Sequence, residues 1–105
     1  LVERALGENE RAALSALLPS EAEKLFFTFW ARKEAYLKAR GLGFSVPANQ
    51  VDTANLKILR VQGRAERVWR VEDIDLNAHY AAAVAGEGND WRVTAVRAFT
   101  APAPS

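Results

Sequence analysis

The sequence predicts an α+β domain in which two helices precede an antiparallel sheet and the longer helix lies across one sheet face. Three observations predict it. Apolar residues recur at helical spacing through the N-terminal part of the chain. Gly41 and Gly43 then stop that pattern. Beyond them, β-branched and aromatic residues gather in short runs separated by turn residues.

Glu8 to Leu18 reads as a short helix with Leu14, Leu17 and Leu18 on one side, and Pro19 breaks it. Ser20 followed by Glu23 has the pattern of a capping box, so a second helix is expected to start near Glu21. It runs to about Arg40, where Gly41 supplies a left-handed terminating position. At about 100° per residue, Leu25, Phe29, Arg32 and Tyr36 share one side of this helix. Phe27, Trp30, Glu34 and Lys38 share another. Both sides carry aromatic rings, so the helix is expected to be contacted from more than one direction, with core packing the first explanation of the rings. After Gly43, Phe44-Ser45-Val46-Pro47 reads as extended chain or loop. Strands are expected at Leu56–Val61, Arg67–Val71, Tyr80–Ala85 and Trp91–Phe99, with turns at Gln62-Gly63 and Gly86–Asp90. Residues 1–100 make the domain, and Ala101-Pro102-Ala103-Pro104-Ser105 is a linker-like, disordered end.

Composition narrows the function classes. The chain has 105 residues, enough for one domain with a modest core. Half of it is hydrophobic and 26% is charged, as in ordinary globular proteins. The net charge of +1 implies no nucleic acid or other polyelectrolyte partner. No apolar run approaches the ~20 residues of a membrane span, and no secretory signal is visible. Without cysteine there is neither a disulfide framework nor a thiolate metal site, and a cytoplasmic location is the default expectation. The chain also has no methionine, so it is expected to be a piece of something longer.

The segment with most chemical content runs from Trp30 to Gly43, Trp-Ala-Arg-Lys-Glu-Ala-Tyr-Leu-Lys-Ala-Arg-Gly-Leu-Gly. Glu34 and Lys38 are four residues apart and share a helix face. A carboxylate able to hold a divalent cation would then sit beside an ammonium able to hold a phosphate. Alone, such a pair is most often a surface salt bridge worth about 0.3–0.5 kcal/mol. The whole string is more specific. With Trp30, Lys33-Glu34-Ala35, Lys38, Gly41 and Gly43 at fixed spacing, it resembles the signature of the 4′-phosphopantetheinyl transferases, in particular the two-lobed class that activates peptide and polyketide synthases. Nearly all of the chain resembles the C-terminal lobe. Gly41-Leu42-Gly43-Phe44-Ser45-Val46-Pro47 and Tyr80-Ala81-Ala82-Ala83-Val84-Ala85 match more loosely.

The resemblance implies an Mg²⁺-dependent enzyme that moves the phosphopantetheine arm of coenzyme A onto a serine of an acyl or peptidyl carrier protein. Coenzyme A would lie in the cleft between two pseudo-symmetric lobes. Glu34 matches the metal-ligating glutamate, and Lys38 matches the lysine near the pyrophosphate, a catalytic and substrate-binding position. Glu10 lies where the family often has a glutamate near the metal-bound water, which could accept the serine proton. Its alternative is a solvated first-turn glutamate favoured by a helix N-terminus, and Glu8 competes for the role. Lys33, about 100° round the helix from Glu34, is expected to point toward phosphate or an acidic partner. Arg32 and Arg40 read as solubilising charge, and His79 is assigned no role.

The sequence departs from the family pattern in one respect. The other metal ligands of the two-lobed class come from a Gly-x-Asp-x-Glu-type segment of the N-terminal lobe, which does not occur here. Asp73 and Asp75 lack its glycine and follow the signature instead of preceding it, so the role is not transferred to them. Two alternatives are the small trimeric holo-acyl-carrier-protein synthases and a non-catalytic binding module with a basic helix for nucleic acid or an acidic protein. Trp30 and Glu10 favour the two-lobed class over the first, and the carboxylate inside the basic helix disfavours the second.

A lobe separated from its partner lobe exposes apolar surface, with Phe27 and Trp30 the candidates, and large exposed patches drive association. The 105-residue chain alone is therefore expected to self-associate and to bind Mg²⁺–coenzyme A poorly. Sedimentation at micromolar concentration and coenzyme A calorimetry check both halves. A strict monomer with tight coenzyme A binding would contradict them.

Overall fold

A computed structural model describes residues 5–41, 45–75, 80–88 and 98–100. Among the described residues the architecture is α+β, with two longer α-helices, a 3-10 turn at Ala48–Gln50 and two small antiparallel sheets. Helix α1 spans Glu8–Ser15, beginning after an extended Gly7 whose N–H donates to the Glu10 carboxylate at 2.8 Å. It stops short of the expected Leu18. Ser15 turns its hydroxyl onto the Ala12 carbonyl at 2.8 Å, and Leu17 and Leu18 are 36% and 67% exposed, so no core contact pulls the last turn into helix.

Helix α2 spans Pro19–Arg40, two residues longer at its start than the capping-box reading predicts. Leu18, extended, is the cap, and Pro19 takes the first helical position, where its fixed φ suits the helix and its missing N–H costs nothing. At the other end Gly41 sits at φ 65° and donates to the Lys38 carbonyl at 3.2 Å, the expected left-handed stop.

The strands form two sheets where a single one is expected. In the first, β1 (Val51–Asp52), β2 (Arg60–Val61) and β3 (Arg64–Ala65) lie in the order β1-β2-β3. The β2–β3 hairpin turns on Gln62 and Gly63, both at positive φ (52° and 78°), the two-residue turn whose twist matches that of the strands. Most of the strand expected at Leu56–Val61 is a turn, because Asn55 draws the Lys57 and Ile58 amides back onto itself. The second sheet contains β4 (Trp69–Ile74), β5 (Tyr80–Glu87) and β6 (Ala98–Thr100), in the order β4-β5-β6. Its β5 runs through Gly86 and Glu87, which were expected to turn. His79, residues 42–44, residues 91–97 of the last expected strand and the 101–105 tail lie outside the described residues.

Helix α2 packs on β4 and β5. Ala31, Tyr36 and Leu37 meet Val51, Leu59, Val71 and Ala83 in one core, so the helix joins both sheets. The alanines of β5 allow it to lie close, since a small side chain on the sheet leaves room for the helix backbone.

Two polar clamps reinforce that seat, and they correct the reading of Arg32 and Arg40 as solubilising charge. Arg32 donates through Nε and Nη2 to the two oxygens of Asp73 in β4 (2.8 and 2.7 Å). Its Nη1 donates to the carbonyl of Thr53 at 2.7 Å, and the side chain is only 12% exposed. Toward the end of α2, buried Tyr36 donates its hydroxyl to Glu66, and Arg40 donates to that hydroxyl at 2.8 Å. Glu66 also accepts the Val68 and Trp69 amides at 3.0 and 3.3 Å, which ties the end of the helix to the start of β4.

Burial, and then the hydrogen bond to Glu66, push the Tyr36 hydroxyl from its ordinary 10 up to about 12. A pKa raised in the folded state adds stability that is fully present below pH 10 and is lost as the pH climbs to about 12. Wild type should therefore lose stability across that window more steeply than Tyr36→Phe. Denaturant titrations of both proteins at pH 9 to 12 measure the difference, and equal slopes would contradict this role for the hydroxyl.

Candidate active site

The inner face of α2 is occupied by the core and the clamps, so the outward side is where chemistry is available. Glu34 and Lys38 lie there, one turn apart, with Nζ and Oε2 3.3 Å from each other and side chains 26% and 50% exposed. Phe27 and Trp30 on the same side are half-buried. Phe27 meets Phe26 edge-on at 5.4 Å. Gly41, three residues after Lys38, ends the helix and donates its N–H to the Lys38 carbonyl, which fixes the last turn. The result is a carboxylate and an ammonium at an open surface bordered by aromatic rings.

Glu10 and Lys33 are elsewhere. Both are 0% exposed, and they form an ion pair with each other inside the protein. One oxygen of Glu10 accepts the Gly7 amide at 2.8 Å and meets Lys33. The other accepts the Thr53 amide at 2.9 Å and the Thr53 hydroxyl at 2.5 Å. Lys33 donates onward to the carbonyls of Ala48, at 2.9 Å, and Val51. Burial pushes the Lys33 ammonium below its ordinary 10.5, while the charge of Glu10 and its hydrogen bond oppose that shift.

The expectation that Lys33 points toward phosphate or a partner does not describe this arrangement. Position 33 faces α1 and the 48–53 segment, whose carbonyls receive its protons. In the same way, Glu10 is not a solvated first-turn residue, and both of its oxygens are engaged by partners within the chain. Of the four residues singled out from the sequence, the fold thus brings Glu34 and Lys38 together at the surface and Glu10 and Lys33 together inside. Glu8, the competitor of Glu10, is exposed.

Two participants escape sequence reasoning. Thr53 is 0% exposed and caps the Glu10 carboxylate from 43 positions away, with nothing local to mark it. Asp52 accepts the Asn9 amide at 3.0 Å and brings β1 against the start of α1. That approach explains Gly7, where a Cβ would lie 2.8 Å from Asp52 Oδ2.

Among the described residues no cluster of three or more His, Cys, Asp or Glu side chains could hold a metal ion by itself. Glu34 can still supply one ligand. Mg²⁺ is commonly held by one or two carboxylates completed by phosphate oxygens and water, so a single accessible carboxylate fits a share of such a site. Among the described residues no helix is long and apolar enough to cross a membrane.

A sequence model of the 4′-phosphopantetheinyl transferase superfamily matches residues 1–96. The chain belongs to this superfamily. The match includes both helices, the first sheet and the β4–β5 hairpin, and with them Glu10, Lys33, Glu34 and Lys38. Comparison with curated proteins and with solved structures gives no match. Membership makes phosphopantetheinyl transfer the general activity to be explained.

The buried pair can be tested by unpairing it. Lys33→Met leaves an ionised carboxylate without its counter-charge and should cost about 3–5 kcal/mol, whereas the double change with Glu10→Leu should recover much of that loss. Gly7→Ala should cost about 1–3 kcal/mol because Asp52 has to give way. Urea unfolding of the three variants reads these costs. Wild-type stability in Lys33→Met would show that the pair does not hold the fold.

Proposed function

We propose that this chain provides the Glu34–Lys38 half of an Mg²⁺-dependent active site that transfers phosphopantetheine from coenzyme A to a serine of an apo acyl or peptidyl carrier protein. The observation that carries the proposal is the Glu34–Lys38 pair, 3.3 Å apart and partly exposed, Lys38 more than Glu34. In the reaction the serine oxygen forms a bond to the β-phosphorus of coenzyme A. The bond from that phosphorus to the bridging oxygen breaks, and adenosine 3′,5′-bisphosphate leaves. Charge builds on phosphate oxygens, so the transfer depends more on placed positive charge than on a covalent intermediate.

Glu34 offers its carboxylate to Mg²⁺, which when bound neutralises charge on the pyrophosphate. Lys38 exchanges its contact with Glu34 for a phosphate oxygen and stabilises the leaving group. The serine proton leaves to solvent at this open face. Glu10 and Lys33 act from inside by fixing the rotation of α2, and so the direction in which Glu34 points. The remaining ligands, the adenine site and the rest of the cleft belong to a second lobe carrying a Gly-x-Asp-x-Glu-type segment. The single lobe is then inactive by itself, and the complete enzyme works in the cytoplasm.

Two substitutions in the complete two-lobed protein test the assignment. Glu34→Gln keeps the shape but removes the charge, and turnover should fall at least ~100-fold with folding unchanged. Near-normal turnover at saturating Mg²⁺ would remove Glu34 from the metal. Lys38→Ala breaks an exposed pair and should cost under ~1 kcal/mol of stability. If the lysine meets the pyrophosphate, turnover collapses while the melting curve barely moves. Unchanged kinetics would leave it a surface salt bridge.

A further inference from the structure

Charge is distributed unevenly along the chain. Residues 57–70 carry Lys57, Arg60, Arg64, Arg67 and Arg70 against one acidic residue, Glu66, in a protein whose net charge is only +1. All five cations are exposed. Lys57, Arg67 and Arg70 line one hollow of about 810 Å³ that runs between β3 and β4. Each of those strands is the outer strand of its sheet. The acidic groups in the hollow are already committed. Asp73 is held by Arg32, Glu66 by Tyr36 and Arg40, and Glu72 lies 3.1 Å from Arg70. Among the described residues no carboxylate pairs with Lys57 or Arg67.

The lining is also apolar. Ile58 is 51% exposed in the hollow, half-buried Trp69 stands beside it, and Val68, 52% exposed, lies at its margin. Exposed aliphatic side chains among cations suit a protein segment better than a phosphate backbone, which has no apolar groups to cover them. The outer edge of β4 is closed to a further strand, since Glu66 accepts the Trp69 amide and Val71 is only 2% exposed, so an occupant lies along the side chains of the hollow. Arg32 and Tyr36, which are tied to the Asp73 and Glu66 of this hollow, lie about 160° round α2 from Glu34. The hollow is therefore behind the helix, away from the candidate active site.

We propose that this hollow is a docking cleft for an extended, acidic segment of a partner protein, which places its carboxylates against Lys57 and Arg67 and its apolar side chains on Ile58 and Trp69. Apolar contacts supply affinity, and the flanking cations select an acidic partner. An occupant there leaves Glu34 and Lys38 open, so docking and catalysis can occur together. The proposal does not depend on the transferase assignment.

Fluorescence anisotropy of the full chain with a labelled peptide that alternates Asp or Glu with Val or Ile tests it. The peptide should bind saturably and more weakly as salt rises. The double variant Lys57→Glu/Arg67→Glu should weaken binding at least about tenfold, and Ile58→Ser should weaken it without changing the salt dependence. Both changes are at exposed positions, so melting curves should match wild type. If the double variant melts early, the Lys57→Gln/Arg67→Gln pair replaces it and should still weaken binding. Unaltered binding by the charge variants, unaltered binding by Ile58→Ser, or equal affinity for a DNA duplex would each overturn the proposal.

Discussion

The ion pair between Glu10 and Lys33 is the constraint on which the rest of the structure depends. Two opposite charges with no solvent exposure are tolerated only when every lone pair and proton has a partner, because each buried ion carries a desolvation cost of several kcal/mol. Here the partners come from four places in the chain: the start of α1 through Gly7, the middle of α2, the carbonyls of Ala48 and Val51, and Thr53 after β1. None of these segments can shift without stranding a charge. A hydrophobic core of this modest size could slide by a fraction of a turn, but a satisfied ion pair cannot, so it sets the register of α2 against everything it touches.

That register fixes what α2 presents. Arg32 and Tyr36 hold the helix to β4 and to the approach to β4, and Leu37 and Phe29 are buried on the same helix. On another side of the helix Glu34 and Lys38 lie together, bordered by Phe27 and Trp30. Arg32, Lys33 and Arg40 bind the helix to its own protein, while Glu34 and Lys38 pair with each other. Membership of a family that transfers a phosphate-linked arm makes a metal-ligating carboxylate beside an ammonium the economical reading of that open pair.

The sequence showed the long helix, its glycine stop, the Gln62-Gly63 turn and the adjacency of Glu34 and Lys38, because each of these depends on neighbours within a turn or so of helix or strand. It was less informative where distant segments compete for the same atoms. The strand expected from Leu56 shrank to Arg60–Val61 because Asn55 collected the intervening amides. The helix start moved from the Ser20 region to Pro19 because a proline suited to the first turn outweighs a possible side-chain cap. Arg32 and Arg40 read as solvent-facing because arginine usually is, and their partners lie 41 and 26 residues away.

By itself, then, the sequence determined the α+β class, the helix that carries the signature, and the pairing of Glu34 with Lys38, since all three follow from local periodicity and spacing. Tertiary structure alone decided that Lys33, next in line to Glu34, faces inward while Glu34 faces out, and that Glu10 meets it there. The physical reason is that burial of a charge depends on whether distant backbone groups converge to satisfy it. Gly7, Ala48, Val51 and Thr53 reach Glu10 and Lys33 only after the chain has folded.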